Sequence, residues 1–305
     1  MRKDFLSLYD LERVDFEAVF DKADKIKKML KAGVSHTPLS GKTLGMIFDK
    51  SSTRTRISFE VGIYQLGGMA LFLNNRDTQV GRGEDISDTA RVMSRYLDAV
   101  VIRTYSQSFV EDFARYATIP VINGLTDEQH PCQILSDLFT IIEKKGRYEG
   151  LKVAYVGDGN NVANSWIDAA ARLPIRLSLA CPEEYEPEDV ILERGMKKAE
   201  GRITLSRKPA DAVKDADVIY TDVWTSMGQE AEKEERKKVF RGYQVNGELL
   251  SLAREDAIVM HCLPAHRGEE ITDDVIDGSH SVIIDQAENR LHVQKAVMEI
   301  LILGG

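Results

Sequence analysis

Short apolar runs alternate with longer amphipathic stretches along nearly all of this 305-residue chain, and this alternation restricts the possible folds more than any other feature. An amphipathic helix that Asp15 can cap comes first. The apolar runs that follow have the length of buried strands, and they begin at Leu44, Met69, Ala99, Pro120, Lys152, Arg176, Val218, Ile258 and Val282. Strands that alternate with helices in this way predict an α/β protein built on parallel sheets.

The alternation pauses at residues 146–150 and then begins again, which indicates a boundary between two domains. We predict two doubly wound parallel-sheet domains, over residues 1–147 and 148–287, with the active site in the crevice between them. A last amphipathic stretch, about residues 288–305, predicts a closing helix that could pack on either domain.

The composition argues against several classes of protein. A net charge of -9 is unfavourable for non-specific binding to nucleic acid, which requires a basic face. The first residues lack the apolar run of a secretory signal, and no stretch is apolar enough to cross a bilayer. The only cysteines are Cys132, Cys181 and Cys262, which is typical of a reducing compartment. We therefore expect a cytoplasmic protein whose partners include neither nucleic acid nor a membrane.

Clusters of polar residues follow six of the predicted strands directly. Parallel sheets bind their ligands at the carboxyl ends of the strands, so the six clusters together predict one shared binding crevice. The clusters begin at Asp49, Arg103, Asn123, Gly157, Asp222 and Cys262.

The segment Ser52-Thr53-Arg54-Thr55 joins the first strand to a predicted helix. Hydroxyl groups and free backbone amides at a helix N-terminus form an anion site, and Arg54 can donate two parallel hydrogen bonds to a phosphate. The alternative is an ordinary Ser/Thr cap beside surface arginines. The segment lacks the glycine pattern of a nucleotide P-loop.

Arg103 and His130 are further candidates. Arg103 stands just past a buried strand, where a cation needs an anionic partner, either a structural carboxylate or a ligand. Pro131 suits the first helical position, which places His130 at the N-cap, facing the crevice. A histidine there could donate to a carbonyl oxygen, although a lone histidine is more often structural.

The turn Gly157-Asp158-Gly159 resembles the start of a dinucleotide-binding fingerprint. The third glycine of that fingerprint is missing, and so is the acidic residue that would recognise ribose. The amides that follow, of Asn160, Asn161 and Asn164, suit an amino-acid zwitterion better than a pyrophosphate.

Asp222 ends a strand, where its carboxylate could bind a substrate ammonium or cap the next element. The run HCLPAHRG begins at His261 and matches no standard zinc spacing, whether or not Cys132 is included. A Cys–His nucleophile lacks any accompanying protease signature. We therefore expect neither a metal nor a cofactor. The charged run over residues 229–238 is interpreted as a solvated loop or helix.

Taken together, these motifs closely resemble those of the ornithine carbamoyltransferases, in the aspartate/ornithine carbamoyltransferase family. They span nearly the whole chain in the family's order: SSTRTR from Ser51, QVGRGEDISDTARVMSRY from Gln79, HPCQ from His130, GDGNNVANSW from Gly157, DVWTSMGQE from Asp222, HCLPAHRGEE from His261 and ENRLHVQKA from Glu288. The motifs at Asp222 and His261 are the ones that indicate ornithine. Val80 and Asp85 depart slightly from the family's more usual Leu and Ser.

The resemblance implies an enzyme that transfers the carbamoyl group of carbamoyl phosphate to the δ-amine of L-ornithine, giving L-citrulline and phosphate in arginine biosynthesis. It implies a first domain that binds carbamoyl phosphate and carries the last helix, a second domain that binds ornithine, and a homotrimer. Three alternatives stay open: a carbamoyltransferase for putrescine, acetylornithine or aspartate, an NAD-dependent oxidoreductase, and a non-catalytic binding protein of the same fold.

The resemblance also assigns roles to residues. Those for carbamoyl phosphate are Ser52, Thr53, Arg54, Thr55, Gln79, Arg103, His130, Pro131, Cys132, Gln133, Cys262, Leu263 and Arg290. Those for ornithine are Asn161, Asp222, Ser226 and Met227. The catalytic residues would be Arg54, Arg103, His130, Asp222 and Cys262. We hypothesise that Asp222 and Cys262 orient the amine, while the other three stabilise the oxyanion and the leaving phosphate accepts the amine proton.

Overall fold

The computed structural model describes residues 3–74, 83–226 and 230–304. The chain divides into two compact units, which we name unit 1 (Met1–Phe139 with Asn289–Gly305) and unit 2 (Thr140–Glu288). Each unit contains one parallel sheet, so the predicted α/β class with two parallel-sheet domains is confirmed. None of the helices in the described ranges combines the length and the apolar character needed to cross a membrane.

Unit 1 has a sheet of four parallel strands in the spatial order β2-β1-β3-β4. The strands are β1 Thr43–Phe48, β2 Met69–Asn74, β3 Ala99–Arg103 and β4 Val121–Leu125. The helices are α1 Arg13–Lys31, α2 Thr53–Gln65, α3 Ile86–Met93, α4 Gln107–Tyr116 and the first part of α5 Pro131–Lys145. Every residue of β3 and β4 is buried, as expected for parallel strands covered on both faces.

Unit 2 has five parallel strands in the order β7-β6-β5-β8-β9. The strands are β5 Lys152–Val156, β6 Arg176–Ala180, β7 Ile203–Ser206, β8 Val218–Thr221 and β9 Ile258–His261. The helices are α6 Asn161–Arg172, α7 Asp189–Ala199, α8 Pro209–Val213, α9 Lys233–Phe240, α10 Gly247–Leu250 and α11 Asp273–Ile276. The last helix, α12 Ile283–Leu303, belongs to unit 1 from Asn289 onward.

The strand order determines where in each sheet the candidate site residues lie. In unit 1 the chain winds from β1 to β2 on one side and continues through β3 on the other, so the order reverses between β1 and β3. In unit 2 the same reversal falls between β5 and β8. Parallel sheets bind ligands at such reversals, beside the carboxyl ends of the strands. Ser52 and Arg103 lie at the first reversal, and Asn160 and Asp222 lie at the second.

One strand prediction was wrong, and one strand was missed. The run at Val282 is the start of α12, because a short apolar run cannot be distinguished from a buried helix by periodicity alone. The strand β7 was missed because it lies at the edge of its sheet, where only Ile203 is fully buried and the apolar signal is weak.

The start of α1 also differs from the prediction. The N-cap is Glu12 rather than Asp15, and Asp15 occupies the third helical position. Its carboxylate accepts a hydrogen bond of 2.9 Å from the Glu12 backbone amide, which completes a reciprocal capping box.

Candidate active site

The N-terminus of α2 in unit 1 has free donors directly after β1. Ser52 is the N-cap, and its hydroxyl accepts from the Thr55 backbone amide at 3.2 Å. A cleft of about 480 Å³ opens here, and its lining includes Lys50, Ser52 and Thr53. Arg54 is half-buried in the first turn, and within the described residues its guanidinium forms no ion pair. This turn can therefore bind an anion with hydroxyl, amide and guanidinium donors.

Behind this turn lies a buried group that we name the anion cluster, consisting of Thr55, Arg103, His130, Gln133 and Arg290. The Thr55 hydroxyl accepts from Arg290 at 2.7 Å and from Arg103 at 3.5 Å. The side-chain oxygen of Gln133 accepts a hydrogen bond from Arg290 at 3.0 Å, and the side-chain NH₂ group of Gln133 donates to Asp137 at 2.8 Å. Two buried guanidinium groups held this close together provide strong positive potential for an anionic ligand.

His130 occupies the predicted position at the start of α5. The helix begins at Pro131, and the His130 carbonyl oxygen accepts from the Gln133 backbone amide at 3.1 Å. Burial and the nearby positive charges of Arg290, Arg103 and Arg54 hold the pKa of His130 well below its ordinary value. The imidazole is therefore neutral near pH 7 and can donate one hydrogen bond without adding a charge.

The Cys132 side chain is hydrogen-bonded to the backbone of β4. Its thiol is buried and donates to the Asn123 carbonyl oxygen at 3.3 Å. Burial raises the pKa of Cys132 to about 12, so the thiol stays protonated. A ligand could therefore be contacted by the backbone of Cys132 rather than by its sulfur.

In unit 2, Asp222 follows β8 and is buried at the centre of what we name the carboxylate cluster, with Asn160 and Cys262. Its Oδ2 accepts from the Asn160 amide at 2.8 Å, and its Oδ1 accepts from the Cys262 thiol at 2.9 Å and from the Val223 backbone amide at 2.8 Å. These donors fix the orientation of the carboxylate. Because a carboxylate accepts about four hydrogen bonds, it retains capacity for a substrate amine.

The turn after β9 is held by a buried histidine. His261 accepts from the Leu263 backbone amide on Nδ1 at 2.9 Å, and its Nε2 lies 3.0 Å from the fully buried Glu270 carboxylate. Leu263 has a φ of +58°, a left-handed conformation that is strained for a bulky residue. The hydrogen bond to His261 helps to keep Leu263 in that conformation, next to Cys262.

Asp222, His261 and Cys262 have ligand atoms within 4.8 Å of one another, the spacing of a possible metal site. Both ring nitrogens of His261 already have hydrogen-bond partners, so a metal would have to displace one of them. The arrangement fits an orienting hydrogen-bond network better than a zinc centre.

Comparison with known proteins assigns the chain to a family. Residues 3–143 match the carbamoyl-P binding domain of aspartate/ornithine carbamoyltransferase, and residues 149–301 match its Asp/Orn binding domain. The chain belongs to the aspartate/ornithine carbamoyltransferase family. This carbamoyltransferase chain is 70% identical to an ornithine carbamoyltransferase of Syntrophus aciditrophicus over 302 residues, which cover 99% of the chain and 100% of the relative.

Solved structures agree with this membership. The ornithine carbamoyltransferase of Pyrococcus furiosus superposes on the chain with a TM-score of 0.95 at 55% identity, covering 99% of this chain and 97% of that one. The anabolic ornithine carbamoyltransferase of Campylobacter jejuni gives a TM-score of 0.93 at 42% identity, covering 99% of each chain. The fold of a carbamoyltransferase therefore extends over essentially the whole chain.

Most of the residues that the sequence predicts for substrate binding in this carbamoyltransferase belong to the anion cluster or the carboxylate cluster, or lie beside one of them. Gln79 and Met227 lie outside the described residues. Asn161 is the first residue of α6, directly after Asn160, and Ser226 follows Asp222 by four positions.

The sequence pattern indicated Asn160 only as one of three amides suited to an amino-acid zwitterion, and it gave no indication of Glu270 or Lys50, which also lie near the two clusters. Asn160 caps α6 by accepting from the Val162 and Ala163 amides, which leaves its NH₂ group for Asp222. Glu270 lies inside a quoted motif, and its complete burial was not visible in the sequence. Lys50 is buried, forms an ion pair with Asp127, and lies 4.4 Å from the centre of the Tyr105 ring.

Proposed function

We propose that the chain transfers the carbamoyl group of carbamoyl phosphate to the δ-amine of L-ornithine, giving L-citrulline and phosphate. The observation that carries this proposal is the full-length likeness, up to 70% identity, to proteins named ornithine carbamoyltransferase. The two hydrogen-bonded clusters support it, because one presents buried cations to an anion and the other presents an oriented carboxylate to an amine.

Carbamoyl phosphate is assigned to unit 1. Its phosphate accepts from the α2 turn, through Ser52, Thr53, Arg54 and Thr55, where hydroxyl groups, amides and the helix dipole favour negative charge. Its carbamoyl oxygen accepts from the anion cluster, mainly from Arg103 and His130. Gln133 and Arg290 hold one another and Thr55 in place. Gln79 and the backbone of Pro131 and Cys132 complete this assignment.

Ornithine is assigned to unit 2. A carboxylate fixed by three donors, as Asp222 is, retains about one of its four acceptor positions, so it can bind an amine from a single direction. Asn161, Ser226 and Met227 are assigned to the same substrate. Cys262 and Leu263 contact the reacting group.

The reaction requires a neutral amine. A free alkylammonium has a pKa of about 10.4, so the enzyme must select the small unprotonated fraction or remove the proton. Asp222 and Cys262 orient the amine, which then attacks the carbamoyl carbon and forms a C–N bond as the C–O bond to phosphate breaks. Arg54, Arg103 and neutral His130 stabilise the charge on the carbamoyl oxygen and the leaving phosphate. The phosphate oxygen accepts the proton released by the amine, so no separate protein base is needed.

We also propose that the protein is a cytoplasmic homotrimer that works in arginine synthesis. The relative from Campylobacter jejuni is named anabolic, which supports the biosynthetic direction. None of the three cysteines, all of them described, forms a disulfide, which is the usual state in a reducing compartment. Exposed apolar side chains on α2 and β2 support burial of that face between subunits.

An assay of carbamoyl transfer tests the proposal. Purified protein is incubated with carbamoyl phosphate and one amine at a time, namely ornithine, putrescine, acetylornithine or aspartate, and the ureido product is measured colorimetrically. We expect turnover with ornithine alone. Turnover with another amine alone would overturn the roles of Asp222, Ser226 and Met227, and no turnover from folded protein would favour a binding protein.

A further inference from the structure

One arginine in the charged run at residues 229–238 is buried, contrary to the prediction of a solvated segment. Arg236 on α9 has only 5% of its side chain exposed, whereas Glu234, Glu235 and Lys238 are exposed. Burying a guanidinium is costly unless charge and hydrogen bonds compensate it, so its partners indicate why it is there.

Arg236 binds two different loops. Its Nη2 lies 2.6 Å from the carboxylate of Asp158, which is itself buried, in the loop after β5. Its Nε donates at 2.6 Å to the carbonyl oxygen of Trp224, in the segment after β8. The guanidinium also stacks over Tyr185, 4.6 Å from the ring centre.

These two loops are the ones that meet at the carboxylate cluster. Asp158 is two residues before Asn160, and Trp224 is two residues after Asp222. Asn160 donates to Asp222 at 2.8 Å, so Arg236 and Asn160 join the same two segments at two separate points. A single hydrogen bond would let one segment pivot against the other, whereas two connections fix the distance and the angle between them.

We propose that the buried Arg236–Asp158 pair positions the Asp222 carboxylate for the amine substrate. Arg236 is then a positioning residue and not a catalytic one, because it acts through Trp224 and Asp158. This inference rests on the proposed function, in which Asp222 binds ornithine. Its specific consequence is that loss of Arg236 weakens the use of ornithine while leaving the use of carbamoyl phosphate intact.

Steady-state kinetics of Arg236→Gln test this consequence. We expect the KM for ornithine to rise at least about tenfold, since a small misplacement of a binding group is costly, while the KM for carbamoyl phosphate stays within about twofold. Arg236→Lys should be intermediate, because it keeps the charge but loses the fork that joins two acceptors. Arg194→Gln is the matched control: it removes the Arg194–Asp168 ion pair of 2.8 Å, between α6 and α7 of the same unit, and both KM values should stay unchanged.

A pH profile provides a second readout that a merely structural role would not alter. Burial raises the pKa of Asp158 to about 7, although Arg236 opposes this rise. The other groups that face Asp158 are Glu232, Asp222, Tyr155 and Cys181. The pKa values of Tyr155 and Cys181 are raised by burial, so neither titrates near pH 7.

As the pH falls through about 7, Asp158 takes up a proton and its ion pair with Arg236 is lost. In the wild-type enzyme, kcat/KM for ornithine should therefore fall more steeply below this pH than above it. In Asp158→Asn, which has no carboxyl group to take up this proton, kcat/KM for ornithine should no longer fall more steeply below this pH.

The outcomes separate the two proposals. Wild-type turnover of ornithine together with an unchanged ornithine KM in folded Arg236→Gln would overturn the positioning role alone. Parallel pH profiles for the wild-type enzyme and Asp158→Asn would also overturn it. No citrulline from the wild-type enzyme would overturn the proposed function, and the positioning role with it.

Discussion

Arg54 forms no ion pair among the described residues, whereas Arg56, two positions further on, pairs with Glu60 at 2.9 Å, and Arg103 and Arg290 are hydrogen-bonded to Thr55. A half-buried guanidinium in the first turn of a helix is well placed to interact with charge that develops on a ligand. We expect Arg54→Ala to lower kcat at least about 100-fold, the cost of removing one such donor.

The initial rate of citrulline formation at saturating substrates measures this effect. Arg115→Ala is the control, since Arg115 is exposed on α4 of the same unit and pairs with neighbouring Asp112 at 2.9 Å. Near wild-type turnover of Arg54→Ala would remove Arg54 from the mechanism.

His130 gives a prediction about pH. Because burial and three arginines hold the pKa of His130 well below its ordinary value, we expect the imidazole to be neutral both at pH 6 and at pH 8. His130→Ala should therefore lower kcat by about 100-fold, as expected for the loss of one neutral donor. The ratio of the wild-type kcat to that of the variant should be the same at pH 6 and at pH 8. A ratio that changes across this range would mean that His130 titrates there, and would contradict its role as a neutral donor.

At the scale of elements, the N-cap of α2 has two functions that can be separated. Ser52 and Ser106 cap α2 and α4 in the same way, with hydroxyl groups that accept from Thr55 and Phe109 amides at 3.2 and 3.1 Å. Replacing either serine by alanine should cost about 1 kcal/mol of unfolding free energy, as measured by urea denaturation. Only Ser52→Ala should also raise the KM for carbamoyl phosphate. Equal activities of Ser52→Ala and Ser106→Ala would mean that Ser52 is a structural cap and nothing more.

The sequence predicted elements well where hydrophobic periodicity was strong and poorly where it was not. Eight of the nine strands found in the described residues were anticipated, because buried parallel strands are continuous apolar runs. The edge strand β7 was missed because its apolar signal is weak, and the start of α12 was taken for a strand because short apolar runs do not distinguish strands from helices.

Residues of the candidate site were predictable when they stood in motifs at strand ends, as Thr55, Arg103 and Asp222 do. The burial of Arg236 and Glu270 was not predictable, because it depends on tertiary packing around α9 and after β9. A charged residue within a charged run carries no local signal that it faces inward.

At the scale of the whole molecule, the proposed trimer has a measurable consequence. Light scattering should give a particle of three times the 34.2 kDa chain mass. Tyr64 and Met69 are 77% and 54% exposed on α2 and β2, and they belong to a larger set of exposed apolar side chains on these two elements, the kind of surface that marks a protein–protein contact. Tyr64→Glu and Met69→Glu should lower the mass by disrupting this face.

Val190→Glu is the matched control for this measurement, because Val190 is 75% exposed on α7 of unit 2 and should not affect assembly. A monomeric wild-type protein would contradict the trimer. A trimer unaffected by either substitution on unit 1 would place the subunit contact elsewhere.

The most direct test of the account is to follow the new bond itself. Carbamoyl phosphate labelled with ¹³C and ornithine labelled with ¹⁵N at the δ position are incubated with the protein, and the product is examined by nuclear magnetic resonance. Transfer to the δ-amine should give a carbamoyl ¹³C signal that is split by one-bond coupling to the δ ¹⁵N of citrulline and that appears together with free phosphate. A ¹³C signal without that coupling, or label attached to the α-nitrogen, would contradict carbamoyl transfer to the δ-amine.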